Sequence, residues 1–61
     1  MKRHELVKRI RVTGSVLVRH GAKHDWYRNP DTGAHQAVPR HNEINDRLAR
    51  QIIKQLSQPR G

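Results

Sequence analysis

The sequence predicts an α+β domain in the order α-β-β-β-α, and three observations predict it. Both ends of the chain carry apolar residues at helical spacing: Leu6, Val7 and Ile10 near the start, and Leu48, Ala49, Ile52, Ile53 and Leu56 near the finish. Between them run three short segments of β-branched, aromatic or other breaker-free residues, separated by Gly- and Pro-containing turns. The 61 residues, 33% of them hydrophobic, leave room for one domain (1–61) with a thin buried layer. A chain of this size buries only roughly 60% of the surface its unfolded form exposes.

The first helix, about 3–12, keeps Lys8, Arg9 and Arg11 off its apolar side. It should stop at Thr13-Gly14, because glycine accepts the left-handed turn that closes a helix. Ser15 to His20 reads as a strand, Gly21-Ala22-Lys23 as a turn, and His24 to Asn29 as a second strand holding the only aromatics, Trp26 and Tyr27. In Asn29-Pro30-Asp31-Thr32-Gly33, Pro presets φ, Asp can cap its own backbone, and Gly supplies the positive φ of a tight reversal. Ala34 to Val38 is then a third strand, ended by Pro39. Asn42 or Asn45 can cap the last helix, where Asp46 and Arg50 stand at pairing distance along its wet side. Residues 58–61, with Pro59-Arg60-Gly61, should fray.

Tight connections make the strands an antiparallel meander with both helices on one face, which leaves the other face open. Adjacent on a strand, Trp26 and Tyr27 point to opposite faces. Val16 and Val18 compete with Leu17 for the inner layer, so the sequence leaves open which aromatic turns inward. Alternation groups His24, Trp26 and Arg28 on one face, and His20 and His24 flank the turn as if to face each other across the hairpin.

Thirteen Lys/Arg against five Asp/Glu give a net charge of +8. That excess predicts attraction to polyanions, with nucleic acid foremost, although solubility alone or an acidic protein partner would also use it. With no Cys, disulfides and thiolate zinc sites are excluded. The longest aliphatic run is Val16-Leu17-Val18, far short of a membrane span. No apolar leader opens the chain, so a cytoplasmic location is expected.

Five histidines are many for this length. No His pair at ligand spacing shares a helix and carboxylates are few, so neither a metal nor another cofactor is expected. His4 sits among charges on a helix and reads as solvated. The others suit chemistry on RNA, which carries its own nucleophile, the 2′-OH. Cleavage then needs a general base, cations to steady the charge developing on phosphate, and an acid for the leaving group. A neutral imidazole is suited to the first role, and Arg19, Lys23 and Arg28 lie within a few residues for the second. The competing expectation is a non-catalytic module of the same architecture that recognises RNA duplex by shape and needs no particular histidine. A purely structural subunit would leave the charge and the histidines unexplained.

Four segments in order sharpen the choice: Gly21-Ala22-Lys23-His24, Asn29-Pro30-Asp31-Thr32-Gly33, Val38-Pro39-Arg40-His41, and the helix ending Ile53-Lys54-Gln55-Leu56. Across about 3–57 the chain resembles the HicA toxins of bacterial type II toxin–antitoxin systems. The resemblance implies a fold similar to double-stranded RNA-binding domains and a ribosome-independent endoribonuclease that cuts single-stranded mRNA and arrests growth. It also implies a HicB antitoxin bound directly to the toxin. The family's catalytic histidine carries over onto His24 and its turn glycine onto Gly21, with Lys23, Arg19 and Arg28 as phosphate-binding neighbours. His20 and His41 are possible supporting groups. Many relatives read Gly-Ser-His at the turn, where this chain has Gly21-Ala22-Lys23-His24 and so lacks the serine hydroxyl.

Overall fold

Leu6 and Ile10, one helical turn apart, are both wholly buried and define the inner stripe of the first helix, α1 (Arg3–Val12). The helix closes as glycine requires. Thr13 and Gly14 donate to the carbonyls of Ile10 and Arg11, and Gly14 takes a φ of +94°. Strands β1 (Val16–His20), β2 (His24–Arg28) and β3 (His35–Pro39) follow, then helix α2 (Asp46–Ser57). This computed structural model describes residues 1–57. The frayed end expected at 58–61 lies outside them.

The strands form one antiparallel sheet in the order β1-β2-β3. Tyr27 and Val38 face the helices and complete a core of Leu6, Ile10, Ile44, Ala49, Ile52 and Leu56. That settles the orientation of β2: Tyr27 points in, and Trp26 stands half-buried on the open face. Of Val16, Leu17 and Val18, Leu17 takes the inner side opposite Tyr27, yet all three remain exposed. Two short helices cover the other strands and leave β1 as an uncovered edge. The third strand runs one residue later than expected and takes in Pro39, which pairs opposite His24 at the end of an outer strand, where a missing N–H is tolerated.

Asn45 is the cap of α2, its Oδ1 accepting the N–H of Arg47 at 2.9 Å. Asp46 does not pair with Arg50 as its spacing suggests. Instead it accepts from the amino group of Met1 at 2.7 Å. At the second turn the cap is Asn29 rather than Asp31: its Oδ1 accepts from the Asp31 N–H at 2.9 Å, and Gly33 has a φ of +78°. The buried Asn29 amide also donates to Leu56 O at 2.7 Å and Thr13 O at 3.1 Å, joining the ends of both helices to the sheet. Among the described residues no helix is long and apolar enough to cross a membrane.

Candidate active site

The hairpin between β1 and β2 is closed by a 2.7 Å hydrogen bond from the Gly21 N–H to the His24 carbonyl. Glycine is required here by proximity. A Cβ at position 21 would stand 2.8 Å from that carbonyl oxygen and 3.6 Å from Nε1 of Trp26. From the other side Arg40 Nη2 donates to the Gly21 carbonyl at 2.6 Å. A turn fastened twice presents His24 on the open face, exposed, with Lys23 exposed beside it in the chain.

A bulge in β1 decides what lies behind the turn. An unbroken ladder would set Arg19 opposite Asp25 and His20 opposite His24. The register slips between Leu17 and Arg19, so Arg19 pairs with Trp26 and His20 with Asp25. His20 and His24 therefore do not face each other, as the turn's symmetry suggested: they occupy opposite faces of the sheet. Arg19 moves to the open face, its guanidinium carbon 5.9 Å from the centre of the Trp26 ring.

On the inner face Asp25 is buried and fully engaged. Its Oδ2 accepts from Arg3 Nη2 at 2.6 Å, and its Oδ1 from Arg40 Nη2 at 2.8 Å and His20 Nδ1 at 2.9 Å. Arg40 first, then His20, hold the carboxyl down to about 2, against the opposing effect of burial. An ionised carboxylate has no proton to give, so Nδ1 of His20 must be the donor. Among the described residues its Nε2 has no partner, on a side chain that is 70% exposed.

Arg28 lies at the far end of β2, opposite His35. Three residues separate it from His24, a distance of about 13 Å along the strand, so the two stand at opposite ends of β2. The exposed His41 lies in the segment between β3 and α2. Residue spacing missed Asp25, Arg3 and Arg40 as organisers of the hairpin. A signal was present: with His24 outward, Asp25 must point inward, and a buried carboxylate demands partners. Which of 13 cations would supply them is a tertiary fact with no local trace. Among the described residues no three His, Asp or Glu side chains gather as a metal site would require.

A family model described as "HicA toxin of bacterial toxin-antitoxin" matches residues 3–57, which takes in all five elements and the whole hairpin. No curated protein and no solved structure matches the chain.

Proposed function

The chain belongs to the HicA toxin family of bacterial toxin–antitoxin systems, and on that premise we propose that it is a metal-independent endoribonuclease of the cytoplasm. A single domain, it cuts messenger RNA and is held inactive by a HicB-like antitoxin. The observation that carries this reading is the placement of His24: an exposed imidazole at the mouth of a doubly fastened turn, with a lysine next to it and no carboxylate on its own face of β2.

In the proposed reaction His24 takes the proton from a ribose 2′-OH. The freed oxygen attacks the adjacent phosphorus, the bond to the 5′ oxygen breaks, and that oxygen leaves with a proton from an acid or from water. The products are a 2′,3′-cyclic phosphate and a 5′-hydroxyl end. Lys23 steadies the charge on the phosphate under attack, while Arg19 and Arg28 hold the strand on either side. The antitoxin's role has a physical basis in the same features, since an acidic protein would associate fast with a strongly basic open face and cover it.

One observation favours a second assignment of the base. His20 is oriented through Nδ1 by Asp25 and keeps an Nε2 with no partner among the described residues, which is how a general base is commonly held. Cleavage of a single-stranded RNA in EDTA by wild type, His24→Ala and His20→Ala separates the two. Loss of about 10²–10⁴ in rate for His24→Ala, with only a fewfold change for His20→Ala, is expected. The reverse pattern moves the base to His20. RNA bound equally by all three and cut by none leaves a binding module, and activity abolished by EDTA replaces the metal-free scheme.

A further inference from the structure

We propose that the open sheet face beside His24 is a subsite for one unpaired nucleobase, stacked on Trp26, with Arg28 and His35 holding the next phosphate along the strand. The inference deepens the ribonuclease reading and rests on it for the identity of the strand as RNA. A shallow groove on this face is lined by Val18, Arg19, Trp26, Arg28 and His35. The lining pairs an indole with cations and an imidazole and contains no carboxylate. The His35 ring lies 6.0 Å from that of Trp26 and is tilted by 47°, and Arg19 sits at its other flank. The pyrrole edge faces Gly21, with Nε1 3.6 Å from where a Cβ at that position would stand.

Two features argue for a ligand rather than for packing. Only Tyr27 of the two aromatics enters the core, so a chain short of apolar material leaves its largest ring only half-buried, on the face away from the helices. And the β1 bulge turns both Val18 and Arg19 toward that ring, where an unbroken strand would send Arg19 inward. The spacing fits one strand laid along β2. His24, Trp26 and Arg28 follow each other at about 7 Å on one face, so a phosphate at His24, a base on Trp26 and a phosphate at Arg28 succeed one another. Paired bases cannot reach the ring, which makes the subsite selective for single strands.

Trp26 is the sole tryptophan, so its emission reports the subsite directly. The probes are a short single-stranded RNA added to His24→Ala, the corresponding DNA added to wild type, an abasic sugar-phosphate polymer of equal length, and poly-glutamate. Quenching by the first two, and none by the last two, is expected. Trp26→Leu should weaken binding of the base-bearing strands roughly 5- to 100-fold and leave the abasic polymer unaffected, while Trp26→Phe keeps most of the affinity. Because the ring lies outside the core, circular dichroism of both variants should match wild type. Equal quenching by the abasic polymer overturns the proposal, as does quenching by poly-glutamate, which would make the face a protein-docking surface. Trp26→Leu binding as tightly as wild type overturns it too. DNA lacks the 2′-OH, so stacking and cutting are read apart. Stacking without any RNA cleavage removes the ribonuclease reading alone, and cleavage with KM unchanged in Trp26→Leu removes the subsite alone.

Discussion

Asp25 draws together an arginine from the start of α1, an arginine just beyond β3 and a histidine from the end of β1. Its ionisation is therefore tied to the fold. The carboxyl sits near 2 in the folded chain against 3.8 in its absence. A depressed carboxylate pKa contributes stability that is present above about 4 and is lost as pH falls toward 2. Asp25→Asn should accordingly be less stable than wild type at neutral pH, with the gap in urea midpoint closing through that window. Glu43 and Asp46 are also held below their usual range by Lys2 and the Met1 amino group, respectively, so wild type and variant share the rest of their acid sensitivity. A gap that persists at pH 2 would mean the asparagine disturbs packing and not charge. Asn29 tests a neutral counterpart. Its amide satisfies the carbonyls of Leu56 and Thr13, and Asn29→Ala leaves them without that donor at a cost of about 1–3 kcal/mol, read from the same urea curves.

The five elements were legible because each is written locally. The stripe through Leu48, Ala49, Ile52, Ile53 and Leu56, the glycine after α1 and the Asn-Pro-Asp-Thr-Gly turn each act within a few residues. Asn45 was one of two candidate caps, and Asn45→Ala should lower stability by about 1 kcal/mol while Asn42→Ala does so by less, as thermal melts would show. What local pattern could not give is the β1 bulge. Alternation is a period-two rule, and one extra residue reverses every face beyond it. Val-Leu-Val-Arg-His contains no glycine to mark the slip, so local pattern sets His20 to face His24, while His24, Trp26 and Arg28 on the regular strand share one face as alternation grouped them. The same slip hid the Asp25 cluster, since it needs His20 inward.

At the scale of the whole molecule, two groups of cations stand on different elements. Lys23, Arg19 and Arg28 belong to the hairpin and the open sheet face, whereas Lys8 and Arg11 line the outer side of α1, beyond the core. On the proposed path along β2 a single strand would touch the first set only, and the helix charges would not follow its backbone. For single strands each neutralised phosphate adds about −0.7 to the slope of log K against log salt, and three such contacts give a slope near −2. Binding of a non-cleavable strand, titrated at several salt concentrations, should show that slope and hold it as the strand is lengthened. Arg28→Gln should reduce its magnitude by about 0.7. Lys8→Gln with Arg11→Gln should leave it unchanged, yet slow association at low salt, because long-range steering depends on the field of the entire protein while counterion release counts only contacts. A slope that steepens with strand length, or falls in the helix variant as it does in Arg28→Gln, would place RNA on both surfaces and make α1 part of the binding path.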